Sequence, residues 1–509
     1  MDILEAKKAN IVKWNFGFYI VTFLYSILIG VILVPLYLKF IPREIYGYWL
    51  ATGNVLNLLT LIDPGFSAVI QQKISLYYAK GEICKIGEYS FTGILLGFIF
   101  SLLVFIVGFI AYLNFSQIFP DLFLISEFNE VKLSFFLTLI GTILMIIYYI
   151  FGAIDYAILS SKGIGLINVF GNFGSMIAII ILLNLGYGII SLGIASLLRG
   201  IIFLLLSVLY TYFRFKKEAI FLRWNINIFK DFTSLMGYNF LGKIGLCCTN
   251  QIGLYMCTIL VGPNITTVLK FTQTVPEFGK LLVTRLTNAA IPVIPNFYYS
   301  NQKSDLYTLL SNLFYCSAWL IGLIGIGFYL LNGDFITLWV GRDFYGGNIV
   351  NLLVVILLIL SVFTEVTSLI AFSLGNIKGN SIMFLIQGII FVPSLYFATK
   401  RYGIEGILMV GIISHLVSTI WYFPFVLVRL LKIGYLNVIP YIKEIFKILS
   451  TIFFVLVVFH FLNFDTCNWR IFIYKFIILV ACYCIIAIFL SGKIRRLLIL
   501  KLNSKNNDN

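Results

Sequence analysis

Apolar runs long enough to cross a lipid bilayer recur along the whole chain. One example is YIVTFLYSILIGVILVPLYL (19–38), and shorter apolar stretches such as FFVLVVFHFL (453–462) lie within other such runs. Hydrophobic residues make up 61% of the 509 residues and charged residues only 11%, whereas a soluble domain carries about 25% charged residues. Because a helix needs about 20 apolar residues to cross the hydrocarbon layer, the sequence predicts an all-α protein that spans the membrane many times.

The apolar runs divide into about fourteen predicted spans. These lie at 15–38, 45–72, 87–112, 133–160, 164–184, 186–213, 232–261, 266–297, 305–331, 345–373, 379–399, 404–428, 441–463 and 469–491. Most of the 36 Lys and Arg residues fall in alternate loops and both tails, as in RFKKEAIFLR (214–223). Cytoplasmic loops of membrane proteins collect Lys and Arg, so this distribution predicts cytoplasmic termini and accounts for the net charge of +15 without a nucleic-acid partner.

The chain resembles itself at an offset of about 220 residues. YGIISLGIASLLRG (187–200) matches YGIEGILMVGIISH (402–415), and each follows a span that opens after a short loop containing Gly and Lys. The offset contains an even number of spans, which gives the two copies the same orientation. The predicted domains are two pseudo-symmetric six-helix lobes at 1–213 and 232–430, a cytoplasmic linker at 214–231, and the last two spans with a cytoplasmic tail at 431–509.

The eighth predicted span contains the charged segment KFTQTVPEFGKLLVTR (270–285). One charge at the centre of a spanning helix costs about 2.5–3.5 kcal/mol on insertion scales, so several charges in one helix require compensation. Helical spacing places Lys270, Gln273 and Glu277 on one polar stripe, together with Thr284, Thr287 and Asn288. Lys280 and Arg285 flank this stripe.

The seventh span carries a second polar set, Asn239, Lys243 and Asn250. Lys243 and Glu277 are predicted at similar depth and could pair, and Arg199 of the sixth span lies at comparable depth. Five deep cations then face one carboxylate, Glu277. The excess predicts a water-filled cavity between the lobes, lined by cations and suited to an anionic substrate, with interlobe salt bridges as the alternative.

The remaining polar groups of the spans suggest no chemistry. Asp63, Asp155, Glu365 and Lys475 lie near the ends of their spans, where snorkelling or a helix-end role is expected. His415 and His460 are expected to pack in apolar helix. The eight cysteines show neither a disulfide framework nor a metal-ligand spacing, and no metal site is predicted.

The second span and its flanks, YGYWLATGNVLNLLTLIDPGFSAVIQQKISLYYAKGE (46–82), resemble the signature of the polysaccharide transporter family. These are the Wzx-type flippases of the multidrug, oligosaccharidyl-lipid and polysaccharide exporter (MOP) superfamily. The matching elements are Tyr46-Gly47 with Trp49, the Asp63-x-Gly65 step, and Ala79-Lys80-Gly81-Glu82. Position 64 departs from the family pattern, because Pro64 should kink the span.

The resemblance implies a bacterial inner-membrane protein with cytoplasmic termini and no enzymatic activity. It would flip undecaprenyl-pyrophosphate-linked oligosaccharide repeat units to the periplasmic leaflet by alternating access, for O-antigen or for capsular or exopolysaccharide assembly. A polysaccharide polymerase and a chain-length regulator are the implied protein partners, and membrane lipids surround the chain. No cofactor is implied, and the coupling ion stays open between H⁺ and Na⁺.

Three other functions remain open. A lipid II flippase would also carry a polyprenyl pyrophosphate, and a drug or cation antiporter belongs to the same superfamily. An antiporter would need deep carboxylates in the first lobe, where the sequence offers none. A polysaccharide polymerase would need a sizeable catalytic periplasmic loop, whereas the longest outer loop here is 113–132.

The charge distribution over the loops generates a testable topology. Reporter fusions should place 214–231 and the C-terminal tail in the cytoplasm and 113–132 in the periplasm, because Lys and Arg are retained on the cytoplasmic side. Alkaline phosphatase and green fluorescent protein fusions at matched sites measure this. Phosphatase activity of a fusion at the tail would contradict the predicted topology.

Overall fold

The computed structural model describes most of the chain, in several ranges. These are residues 18, 21–22, 24–25, 28–59, 66–158, 161–290, 294, 298, 303–432, 439–462 and 468–492. All regular secondary structure within these ranges is helical, as the composition predicts. The predicted kink at Asp63-Pro64-Gly65 lies outside the described residues.

Sixteen α-helices form within the described ranges. In chain order they are α1 (Val34–Phe40), α2 (Arg43–Leu59), α3 (Phe66–Lys80), α4 (Ile83–Leu113), α5 (Phe115–Ile118), α6 (Phe128–Ala157), α7 (Ser161–Asn184), α8 (Ile190–Glu218), α9 (Ile226–Leu260), α10 (Pro263–Ala290), α11 (Lys303–Trp339), α12 (Asn348–Ser373), α13 (Ile377–Ser414), α14 (Ile420–Leu431), α15 (Ile439–Leu462) and α16 (Trp469–Leu490). Two π-helical turns, Leu28–Leu33 and His415–Thr419, precede α1 and α14. Short 3₁₀ turns occur at Leu122–Leu124 and Arg342–Phe344.

Eight helical stretches in the described ranges are long and apolar enough to cross a membrane. One of them, Ile377–Leu431, runs through α13 and α14 and holds two predicted spans. Its helical conformation breaks at Gly403, where φ is 57° and ψ is −131°. A Cβ added at Gly406 would lie 2.2 Å from the carbonyl oxygen of Ala398, so the chain reverses direction here and forms a helical hairpin.

The first compact unit comprises Met1–Thr267 and Phe384–Val392. One apolar cluster of this unit is built by α3, α4, α6 and α8 around Ile70, Ile86 and Ile154. The long helix α9 belongs to this unit and packs on α2. The predicted lobes were drawn from the internal repeat rather than from contacts, and they stay a prediction.

The second compact unit comprises Val268–Met383 and Pro393–Asn509. One apolar cluster joins α10, α11 and α12 around Val283, Leu306 and Val362. A second cluster joins α11, α15 and α16 around Ile326, Val455 and Leu479. The last two helices therefore pack on this unit through α11.

Two helices extend into the predicted linker 214–231. Helix α8 continues to Glu218, whose carboxylate forms a salt bridge with Arg214 one turn earlier. Helix α9 begins at Ile226, where the Asn225 side chain accepts a hydrogen bond from the Asn227 amide at 3.0 Å. Charged and polar side chains thus stabilise helical turns beyond the ends of the apolar runs, and hydropathy alone does not detect these turns.

The internal repeat has one local counterpart in the backbone. Gly188 and Gly403 occupy matching positions in YGIISLGIASLLRG and YGIEGILMVGIISH, and both have positive φ, 49° and 57°. Glycine adopts this left-handed conformation without steric cost. The two copies therefore share a backbone feature that their sequences share.

Helices α9 and α13 touch at glycine within the first unit. A Cβ added at Gly245 would lie 1.9 Å from the Phe384 carbonyl oxygen. A Cβ at Gly388 would lie 2.8 Å from the Cα atom of Gly245. Small residues permit such close backbone contact between membrane helices.

Substituting Gly245→Ala should therefore destabilise the protein by about 1–3 kcal/mol, because the added methyl group has no space. Thermal unfolding of the purified protein in detergent measures the change. Gly53→Ala is the matched control, since no atom lies within 4 Å of a Cβ added there. Equal unfolding midpoints for the two variants would contradict the close helix contact.

Candidate functional site

Helix α10 contains the predicted polar stripe, and a proline in its middle shapes it. Pro276 has no amide hydrogen, so the carbonyl of Thr272 loses its helical hydrogen-bond donor. The Asn332 side chain of α11 donates to this carbonyl at 3.0 Å and to the Asn351 side chain at 2.8 Å. Asn351 in turn donates to the carbonyl of Tyr329 at 3.1 Å. A buried amide network thus holds α10 at its proline.

Lys270 and Glu277 form an ion pair on α10. The Lys270 ammonium lies 2.8 Å from the Glu277 carboxylate, and the pair spans Pro276. The sequence suggests that Glu277 could pair with Lys243, and the structure shows its carboxylate paired with Lys270. Lys270 reaches Glu277 because both lie on the same stripe of one helix, two turns apart.

Lys280 pairs with a carboxylate of another helix. Its ammonium lies 3.0 Å from the Glu365 carboxylate on α12. Glu365 was predicted to be a helix-end group, and this contact corrects that assignment. The predicted balance of five cations against Glu277 alone is wrong for the same reason, because Glu365 also contributes to the stripe. No sequence signal connects Lys280 with a residue so far along the chain.

His415 lies beside the Lys280–Glu365 pair and begins a π-helical turn. Its Nδ1 atom is 3.2 Å from the Thr364 hydroxyl and 3.0 Å from the Thr419 hydroxyl. It also interacts electrostatically with Lys280. The sequence predicts simple packing for His415, whereas the structure places the imidazole within hydrogen-bond distance of two threonine hydroxyls. The π-helical turn is the structural feature that marks it, since such turns are frequent at functional sites.

The other predicted site residues of α10 differ in exposure. Gln273 is half-buried and Arg285 is exposed. Thr284 and Thr287 are buried, which the predicted stripe does not allow for. The Thr284 hydroxyl donates to the Leu281 carbonyl at 3.2 Å, so burial leaves its polar group satisfied.

The predicted site residues of α8 and α9 lie in the first unit. Lys243 is half-buried and interacts with Cys247, and Asn250 is exposed. The side chain of Asn239 lies outside the described residues. Arg199 on α8 is half-buried, with its guanidinium 5.5 Å from the centre of the Phe203 ring. Such a contact stabilises a cation in an apolar environment.

Two more predicted helix-end charges are integrated into the protein. Asp155 is fully buried and accepts a hydrogen bond from Thr211 at 2.9 Å. Lys475 of α16 lies 2.9 Å from the carboxylate of Asp334 on α11. Each therefore has a polar partner on a neighbouring helix, which the sequence alone does not identify. Among the described residues, no group of three or more His, Cys, Asp or Glu side chains could hold a metal ion.

Comparisons with known proteins bear on the fold. No family model matches the chain. The sequence is 22% identical over 341 residues to the uncharacterized membrane protein EpsK of Bacillus subtilis (strain 168). This similarity covers 65% of the chain and 65% of EpsK, so the chain spans less than two thirds of that protein's length.

Two solved transporter structures share the architecture. An inward-facing multidrug resistance MATE family transporter of the MOP superfamily superimposes with a TM-score of 0.65 at 14% identity, over 81% of this chain and 94% of that chain. The lipid II flippase MurJ, in an inward closed conformation, superimposes with a TM-score of 0.62 at 18% identity, over 96% of this chain and 100% of that chain. This protein has the MATE and MurJ fold. It is a multi-pass membrane protein.

The Lys280–Glu365 contact can be tested by exchanging its charges. Glu365→Lys should lower the unfolding temperature, because two ammonium groups would then meet, and adding Lys280→Glu should restore most of the loss. The effect should be about 1 kcal/mol or less, since both side chains are partly exposed. Thermal unfolding in detergent measures it. Additive losses in the double variant would show that the two side chains do not interact.

Proposed function

We propose that this protein is a flippase for undecaprenyl-pyrophosphate-linked oligosaccharide repeat units in the cytoplasmic membrane of a bacterium. It moves the unit to the periplasmic leaflet by alternating access, for O-antigen, capsular or exopolysaccharide assembly. A polysaccharide polymerase and a chain-length regulator would act on the product, and a gradient of H⁺ or Na⁺ would drive transport. The proposal keeps both termini in the cytoplasm.

The basic side chains of α10 are the observation that carries this proposal. Lys270, Lys280 and Arg285 lie on one helix of 28 residues, which at about 1.5 Å per residue is long enough to cross the membrane. Cations in a membrane segment are costly and usually face a ligand path. A pyrophosphate accepts charge-assisted hydrogen bonds from such groups, which offsets part of this cost. Arg199 and Lys243 of the first unit are proposed as further contacts, with Asn239, Asn250 and Gln273 for sugar hydroxyls.

The two structural neighbours favour different substrates. The MurJ superposition extends over 96% of this chain and the MATE superposition over 81%, so the whole helical arrangement matches that of a protein named as a lipid II flippase. A lipid-linked anionic substrate also agrees with the sign of the α10 charges. A lipid II flippase is therefore the second candidate, and the family-like motif at 46–82 favours a polysaccharide repeat unit over lipid II.

Gene deletion tests the substrate class. Surface polysaccharide should be lost while lipid-linked repeat units accumulate in the inner leaflet, because synthesis of the unit does not require this protein. Extraction of radiolabelled lipid-linked oligosaccharide measures the accumulation. Continued export of the polysaccharide, with cell lysis and accumulated lipid II instead, would replace this proposal by the lipid II alternative.

Variants of the deep cations test the site in the complemented deletion strain. Charge reversal at Lys243 or Lys280 should abolish export with normal protein levels, and Lys→Arg should retain part of it, since Arg keeps the charge in a different shape. Lys85→Ala on α4 is the control, because Lys85 is exposed and pairs only loosely, at 3.6 Å, with Glu88. Immunoblots control for expression. Full export by the double variant Lys243→Ala, Lys280→Ala would remove these cations from the proposed site.

A further inference from the structure

Both lysines of α10 are paired with carboxylates. Lys270 holds Glu277 at 2.8 Å, and Lys280 holds Glu365 at 3.0 Å. The two lysines are ten residues apart, which corresponds to about 15 Å along the helix axis. A single helix therefore presents two separate lysine–carboxylate pairs along its axis.

The carboxylates of these pairs are only partly buried. The Glu277 side chain is 52% exposed and the Glu365 side chain is 38% exposed. Glu444 of α15 differs, because its side chain is only 5% exposed and accepts hydrogen bonds from Trp319 and Ser491. Opening a buried pair leaves an uncompensated charge, whereas opening an exposed pair costs little. The α10 pairs are thus suited to exchange and the Glu444 pair is not.

A phosphate group is the better partner for either lysine. It carries more negative charge than a carboxylate and offers several acceptor oxygens. The backbone of α10 stays fixed meanwhile, because the Asn332 side chain holds the Thr272 carbonyl beside Pro276. The lysine side chains can therefore change partners without any change in the helix.

We propose that Glu277 and Glu365 act as counter-anions of Lys270 and Lys280 and that a ligand phosphate displaces them. Helix α10 then has two sites at which phosphate exchanges with a carboxylate. This inference rests on the proposed function, because it requires a phosphate-bearing ligand. The carboxylates neutralise the lysines when the path is empty. They also compete with the bound phosphate, so they lower its affinity and speed its release.

Binding of farnesyl pyrophosphate to the purified full-length protein, measured by calorimetry in nanodiscs, tests the exchange. Glu277→Gln and Glu365→Gln should each tighten binding about two- to fivefold, which matches the loss of one exposed competing ion pair. Glu277→Gln should give no gain when Lys270 is already Gln, because the competitor then has no lysine to occupy. In the complemented deletion strain, the same Glu→Gln variants should slow export, since release is slower.

Asp334→Asn is the matched control. It also removes one negative charge from a lysine–carboxylate pair in the second unit, but its partner Lys475 belongs to α16 and not to the α10 stripe. The Asp334→Asn variant should bind farnesyl pyrophosphate with the same affinity as the unsubstituted protein. If Asp334→Asn bound farnesyl pyrophosphate as much more tightly as the Glu→Gln variants do, the gain in affinity would come from the change in net charge alone. The proposed exchange would then be overturned.

Two further outcomes separate this inference from the proposed function. If farnesyl pyrophosphate binds tightly and farnesol does not, but Glu277→Gln and Glu365→Gln bind no better than the unsubstituted protein, the counter-anion role is wrong and the phosphate site stands. If farnesyl pyrophosphate binds no better than farnesol, the phosphate site itself is wrong, and the counter-anion role is overturned with it.

Discussion

Every backbone N–H and C=O group within the bilayer must find its partner inside the protein, because hydrocarbon offers none. The backbone meets this constraint by forming helices, and the one carbonyl that Pro276 deprives of a donor receives a hydrogen bond from Asn332. Hydroxyl side chains do the same locally, since Ser134, Thr138 and Thr142 each donate to the carbonyl four residues earlier. The position of α10, and hence of its charges, depends on such internal satisfaction.

Close helix packing within each unit depends on small residues. Helices α6 and α8 meet where a Cβ at Gly141 would lie 2.5 Å from the Ser196 carbonyl oxygen and a Cβ at Gly200 would lie 2.7 Å from the Gly141 oxygen. Water does not drive membrane helices together, so van der Waals contact at such positions supplies much of the association. Glycine therefore fixes which helix faces meet, and the polar residues between them acquire their partners as a result.

Hydropathy and charge could predict the helical class, the multi-pass character and the polar stripe of α10. These depend on local sequence, because an apolar run of sufficient length is a helix in a bilayer and a stripe follows from helical period. The partners within the site could not be predicted. Glu365 reaches Lys280 from another helix, and the buried Asp155 accepts a hydrogen bond from Thr211. Such contacts depend on how the helices pack, and the periodicity of a single sequence does not show which helices are neighbours.

The ends of the helices also differ from what hydropathy predicts. The apolar run of the sixth span stops near Tyr212, yet α8 continues to Glu218 because Arg214 and Glu218 form an intrahelical salt bridge. Hydropathy indicates which residues are apolar enough to lie in the hydrocarbon layer. Where a helix ends depends instead on how its terminal backbone groups are satisfied, by caps and by side-chain pairs. A predicted span is therefore a lower estimate of its helix wherever charged residues continue the helical spacing.

Fold similarity alone does not select the proposed substrate. The MATE and MurJ superpositions have nearly equal TM-scores, 0.65 and 0.62, although the two proteins are named for different substrates. One architecture can host several functions, so the side chains on the helices must select among them. On α10 these side chains are Lys270, Lys280 and Arg285 against Glu277, with Glu365 reaching in from α12. A cationic drug would be repelled by the basic excess and a phosphate would be attracted, so the sign of this stripe carries more functional weight than the small difference between the superpositions.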